Sequence, residues 1–120
     1  MQAVSDTPLR RAQDFVTVMQ HGRRIRHQLL TLGVRPNGLP HNRFGFAIGK
    51  RVGTAVVRNK VRRRLREILR ATPLTTGHDL VLSSGLPSAT ASFEQLRSAV
   101  TWCAQRAGVL QTLSTTGKTS

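Results

Sequence analysis

Apolar and polar positions alternate along this chain with two distinct periods, and each change of period marks an element. Residues 9–21 carry Phe15, Val18 and Met19 at three- and four-residue steps, the spacing of one helix face, and Gly22 is a natural stop. Pro8 suits a helix entry, where its missing N–H is not needed, but Arg10 and Arg11 oppose the helix dipole. The helix is therefore expected to begin nearer Gln13. In residues 28–35 the period changes to two, with Leu30, Leu32 and Val34 alternating with Thr31, Gly33 and Arg35 as in a half-buried strand. Pro36-Asn37-Gly38-Leu39-Pro40 is turn chemistry. A second strand is expected over residues 43–49, with Phe44, Phe46 and Ile48 on one side and Gly45, Ala47 and Gly49 on the other. That small side leaves room for another backbone to approach closely.

Helical period returns over residues 55–70, where Val57, Val61, Leu65, Ile68 and Leu69 form a stripe about 120° wide at 100° per residue. A short third strand is expected at residues 80–83, between Gly77 and Gly85-Leu86-Pro87. Ser92 with Gln95 is a capping-box pair opening a last helix, whose stripe is Phe93, Leu96, Val100, Cys103 and Ala107. There is no internal repeat and no interior linker. The order helix, strands, helix, strand, helix predicts an α+β fold, a small sheet with helices packed on it as a two-layer sandwich. One domain is expected over residues 10–110, with a flexible arm at 1–9 and a disordered tail at 111–120.

Charge changes the picture from fold to partner. Nineteen Lys and Arg against five acids give +14 over 120 residues, and such self-repulsion in a compact domain points to a polyanion that normally neutralises it. Sixteen of the nineteen are arginines, whose planar fork grips phosphates bidentately, although codon usage in a GC-rich genome would give the same bias. Residues 50–70 concentrate nine basic residues with one acid, Glu67. On the helical wheel Arg58, Arg62 and Arg66 form a row beside the apolar stripe, and Asn59, Arg63 and Arg70 form the next row; Lys60, Arg64 and Glu67 lie further round. Like charges at i, i+4 cost about 0.2–0.5 kcal/mol per pair, a sacrifice that folding does not require and a phosphate backbone would explain. A merely solvated helix face usually alternates acids with bases, and a membrane-surface helix usually carries Trp in its stripe; neither is the case here.

The string from Lys50 through Arg66, KRVGTAVVRNKVRRRLR, resembles the signature of the bacterial ribonuclease P protein subunit family, with Gly53, Ala55, Arg58, Asn59, Arg62, Arg63 and Arg66 all in place. Asp14-Phe15, His21-Gly22-Arg23, residues 43–49 and residues 92–96 extend the resemblance, which covers residues 10–107. It implies a left-handed βαβ crossover in a domain fold also found in ribosomal proteins. It further implies that Lys50, Arg51, Arg58, Asn59, Lys60, Arg62, Arg63 and Arg66 face a catalytic RNA subunit. A cleft between the first helix and the sheet would receive the single-stranded 5′ leader of precursor tRNA, with Phe15, Met19, Leu32, Phe44 and Phe46 as its residues. Met19 and Leu32 stand near positions where that family often has aromatics, so shape, backbone and arginine contacts are expected to matter more than base stacking. The activity implied is endonucleolytic removal of the leader by a ribonucleoprotein. The RNA would carry the catalysis, Mg2+ would be held through the RNA, and one protein would pair with one RNA.

The chain's own chemistry agrees with a non-catalytic role. Asp6, Asp14, Glu67, Asp79 and Glu94 are scattered one per element, and His21, His27, His41 and His78 never fall at metal-ligand spacing. No phosphate-loop string is present among its glycines. Cys103 is the sole cysteine, so no intrachain disulfide is possible, and the start shows no secretory apolar segment; cytoplasm is the expected compartment, with no membrane partner. Three other readings make different predictions. A ribosomal or chaperone-like RNA binder would not stimulate precursor processing, and a protein nuclease would cleave without RNA. A DNA reader would need varied polar groups aimed at base edges, which this helix does not offer.

Overall fold

The computed structural model describes residues 7–9 and 11–111. Ten residues of helix α1 (Ala12–His21) follow a two-residue strand β1 (Thr7–Pro8). Three strands come next: β2 (Arg23–Arg26), β3 (Leu30–Pro36) and β4 (Arg43–Ile48). A 3-10 turn (Lys50–Val52) leads into α2 (Ala55–Ala71), then β5 (His78–Ser84), a second 3-10 turn (Leu86–Ala89) and α3 (Phe93–Ala107). The sheet order is β1-β4-β5-β3-β2, with β4 parallel to β1 and β5, and β3 antiparallel to β5 and β2. β4, α2 and β5 form the parallel βαβ unit to which the resemblance ascribes a left-handed crossover.

Strand alternation sorts the sheet's residues onto two faces. Leu30, Leu32 and Val34, Phe44, Phe46 and Ile48, and Leu80 and Leu82 project toward α2 and α3, where they meet Val61, Leu65, Ile68, Leu69, Leu96, Val100 and Cys103. Val81 projects the other way, into a smaller cluster with Leu9, Val18, Phe15 and Met19. The α+β class holds, and the layering is richer than a two-layer sandwich: α2 and α3 cover one face, while α1 lies across the other.

The ends of the elements follow from local chemistry. Thr54 caps α2 by accepting a hydrogen bond from the Val57 N–H, and Ser92 and Gln95 complete the expected reciprocal capping box on α3. Gly53, between the first 3-10 turn and α2, has φ +152°, a conformation that side chains disfavour. Residues 7–9, expected within a flexible arm, belong to the domain: β1 pairs with Arg43 and Phe44, and Leu9 is buried. Gln111 likewise bonds back to Pro73 and Leu74. The rest of the expected arm and tail, residues 1–6 and 112–120, lies outside the described residues.

One partly buried ion pair ties the sheet together at the end where β3 turns into β4. Arg43 Nε and Nη2 donate to the two carboxylate oxygens of Asp79 at 2.7 and 2.6 Å, and Asn37 Nδ2 donates to Oδ1 at 3.0 Å. Burial pushes the Asp79 pKa up, but the hydrogen bonds from Arg43 and Asn37, with the charges of Arg43 and Arg35, outweigh it and hold the carboxyl below its ordinary value.

Candidate nucleic-acid interface

Helix α2 buries Val61, Leu65, Ile68 and Leu69 against the sheet and α3. At about 1.5–3 kcal/mol for each side chain, this burial exceeds the repulsion among its arginines severalfold, so the fold tolerates the charge without needing it. Going round the helix at 100° per residue from Val57, Arg58 stands at the edge of the apolar stripe, Arg62 and Arg66 follow, and Arg70 and Arg63 come next. Burial agrees with these angles. Arg58 and Arg62 are half-buried, and Arg63, Arg66 and Arg70 are exposed. Arg58 lays its stem along the core edge, where its Nε is buried without a hydrogen-bond partner.

Three contacts orient this surface. Arg62 Nη1 donates to Asn59 Oδ1 at 2.7 Å, and the Arg66 guanidinium carbon lies 5.8 Å from the centre of the Phe46 ring. On the far side of the stripe, Arg64 donates to the Ala91 carbonyl at 3.3 Å, fastening α2 to the loop before α3. Arg64 is thus a structural arginine, distinct from the row that begins at Arg58. Lys50 and Arg51, in the 3-10 turn before α2, are exposed, as is Lys60, which sits round toward Glu67.

None of these cations is neutralised by another described residue. Among the described residues the only ion pairs are Arg43 with Asp79 and Arg97 with Glu94. Glu67, the one acid of α2, is exposed and takes part in neither. The result is a one-signed face on a rigid helix, suited to phosphates and unsuited to a neutral partner.

The five residues expected to line a leader cleft do not come together. Phe15 and Met19 lie on the α1 face, whereas Leu32, Phe44 and Phe46 project from the opposite face; Leu32 is 1 % exposed and belongs to the main core. The reason is the two-residue period of a strand, which puts Phe44 and Phe46 on the side away from Gly45. The small side of β4 receives a ring where a backbone was expected: a Cβ at Gly45 would stand 2.5 Å from Phe15 Cζ, and one at Gly33 would stand 2.6 Å from Met19 Sδ.

One row beyond that contact, four residues form a strip across the α1 face of the sheet. By register, Ala47, Ser83, Thr31 and Arg26 stand side by side across four strands, Ala47 and Arg26 exposed and Thr31 and Ser83 half-buried. The Arg43 pKa is raised, first by its hydrogen bond with Asp79 and also by the charges of Asp79 and Asp14. On α1 itself, Val16 is 51 % exposed.

Comparison with known proteins decides the family. The sequence model described as Ribonuclease P matches residues 5–108. The chain belongs to the ribonuclease P protein family. Relatives called ribonuclease P protein component include that of Alkaliphilus metalliredigens, 34 % identical over 98 residues, spanning 80 % of this chain and 88 % of that protein. That of Roseiflexus castenholzii is 39 % identical over 106 residues, spanning 86 % and 87 %. Among solved structures, the RNase P protein from Thermotoga maritima matches with TM-score 0.73 at 25 % identity, covering 82 % of this chain and 96 % of that one. The Staphylococcus aureus RNase P protein shares the fold with TM-score 0.77 at 20 % identity, covering 87 % and 97 %.

A ribonuclease P protein is an RNA-binding component of a tRNA-processing ribonucleoprotein and associates with the ribonuclease P RNA. The α2 arginine row lies on one helix side as the spacing predicts, whereas the alignment of Ala47, Ser83, Thr31 and Arg26 was not foreseen from the sequence. The available signal was the run of small residues on one side of β4, which marked the face that α1 approaches. Among the described residues no group of three or more His, Cys, Asp or Glu could hold a metal ion, and no helix is long and apolar enough to cross a membrane.

Proposed function

We propose that α2 docks on the catalytic RNA of ribonuclease P through Arg58, Asn59, Arg62, Arg63 and Arg66, flanked by Lys50, Arg51 and Lys60. The observation that carries this reading is the absence of any ion pair on that face among the described residues, although four acids lie within them. An RNA phosphate backbone supplies the missing negative charge. The strip between α1 and the sheet receives the 5′ leader of precursor tRNA, with Phe15, Met19 and Val16 on the helix side and Ala47, Ser83, Thr31 and Arg26 as its floor. Binding energy from the leader then favours precursor over mature tRNA.

In this reading the RNA carries the catalysis and holds the Mg2+, the protein pairs with it one to one as a monomer, and the complex works in the cytoplasm. The protein's part is to neutralise phosphates and position the leader. Reconstitution tests it: with a ribonuclease P RNA and a 5′-extended precursor tRNA at low Mg2+, the chain should stimulate leader removal, and protein without RNA should not cleave. Cleavage by the protein alone, or no stimulation, would refute it.

A further inference from the structure

The single tryptophan lies on α3, on the sheet face opposite α1, and its neighbour His27 directly follows Arg26 of the strip. Trp102, on α3, is 38 % exposed. Its indole is held by two neighbours: the His27 ring meets it edge-on at 5.4 Å and 69°, and the Arg106 guanidinium carbon lies 4.4 Å from its centre. His27 is itself fixed, its Nδ1 accepting from the Leu29 N–H at 3.1 Å. Beside this group, Arg23 Nη1 and Nη2 donate to the carbonyls of Ala107 and Arg106 at 3.0 and 3.3 Å, closing the end of α3 and leaving its other N–H groups unused by these bonds.

Helix α3 lies over β3 and β2, whereas α2 lies over β4, so this cluster occupies the opposite edge of the sheet from the arginine face. Among the described residues no acid balances it. Glu94 is tied to Arg97 two turns earlier, Asp79 to Arg43, and Asp14 and Glu67 lie on other helices. The cations continue past it along the edge strand, because Arg24 and Arg26 of β2 are exposed and project from the other face.

We propose that Trp102, Arg106, His27 and Arg23 form a second RNA site, which takes an unpaired nucleotide by stacking its base on the indole and drawing its phosphates to the arginines. A pre-oriented aromatic ring among uncompensated arginines is the combination that single-stranded nucleic acid needs, and it is tolerant of sequence because every base has a π-face. Structural packing accounts for the hydrogen bonds of Arg23. It does not account for leaving the only tryptophan partly in solvent beneath an arginine with no carboxylate. The basic edge of β2 makes a chain of nucleotides, rather than an isolated one, the fitting occupant. That chain comes either from a loop of the catalytic RNA or from the far part of the leader.

The chain has one Trp and no Tyr, so its tryptophan fluorescence reports this site alone. Titrating the full chain with a short unstructured oligouridylate should quench the emission saturably, whereas a duplex RNA or heparin, which offer no free bases, should not. In the Arg62→Ala, Arg66→Ala background, where α2 contributes less, Trp102→Leu should weaken binding of the labelled oligonucleotide about tenfold and Trp102→Phe much less. Circular dichroism and melting establish that each variant is folded, and Arg106→Gln, which leaves the indole in place, should reduce the quenching independently. Quenching by the catalytic RNA alone would assign the bound strand to that RNA, and quenching only on adding the 5′-extended precursor would assign it to the leader. Unchanged emission at saturating oligonucleotide, or equal binding by folded Trp102→Leu, overturns the proposal, as does equal quenching by polyglutamate, which would mark a surface for an acidic protein.

Discussion

The ring of Phe15 on α1 rests against Gly45 of β4 so closely that a Cβ at position 45 would stand 2.5 Å from its Cζ. This contact fixes how near α1 approaches the sheet. Gly45→Ala should cost about 1–3 kcal/mol through overpacking, seen as a drop in melting temperature of roughly 4–8 °C per kcal/mol. Phe15→Leu in the same chain should recover part of the loss, so a double-mutant cycle should be non-additive. Equal stability of Gly45→Ala and the parent would contradict the close contact.

The floor of the strip gives a functional prediction. Ala47 is exposed and projects on the α1 side, so Ala47→Leu should fill the floor with little effect on stability. Its preference for 5′-extended over mature tRNA, measured as the ratio of the two affinities in the reconstituted complex, should fall about fivefold, on the scale of one lost base contact. Affinity for the catalytic RNA should stay as it was.

Acid sensitivity follows from Asp79. Its pKa is lowered on folding from the ordinary 3.8, so its stabilisation is fully present above that value and is lost as pH falls through the folded pKa. Asp79→Asn, which leaves the Arg43 guanidinium without its carboxylate, should cost about 2–3 kcal/mol near neutrality. In urea denaturation at a series of pH values, the gap between variant and parent should be constant above about pH 5 and close as the pH falls below about 4. A gap that persists undiminished in acid would remove Asp79 as the group responsible.

Cys103 is fully buried in the main core, and burial pushes its thiol up to about 11, only partly offset by a backbone hydrogen bond from Leu32. At pH 8 roughly one molecule in a thousand would carry the thiolate, and that thiolate is inaccessible. Alkylation by iodoacetamide should therefore proceed only as fast as the chain unfolds, and should become rapid in denaturant. Fast reaction of the native protein would show that the core opens at α3.

How much of this was legible in the sequence depends on how strongly each element repeats. α2 and α3 show through long apolar stripes and, at Ser92 and Gln95, an explicit cap, so their expected and observed starts coincide. β2 was not recognisable as a strand: Arg23, Arg24 and Arg26 surround a single apolar Ile25, and an edge strand with only that one side chain packed on the core shows no alternation. β1 is two residues long and contains a proline, and only its pairing with β4 defines it. For the site, the arginine row could be read from spacing within one helix, since i and i+4 are neighbours by geometry. The strip could not, because Ala47, Ser83, Thr31 and Arg26 become neighbours only through sheet register, and the sequence does not state which strand lies beside which.

The docking of α2 on RNA is most directly tested by the salt dependence of binding. The affinity of the parent for ribonuclease P RNA, measured by filter binding over a range of monovalent salt, should fall linearly on log–log axes. Replacing both Arg62 and Arg66 by Ala should lower the affinity and reduce the slope by about 1.4–1.8, since each lost phosphate contact removes about 0.7–0.9. A double variant that remains folded and binds with the parent's slope would mean that these arginines face no phosphates, and the assignment of the α2 surface would be wrong.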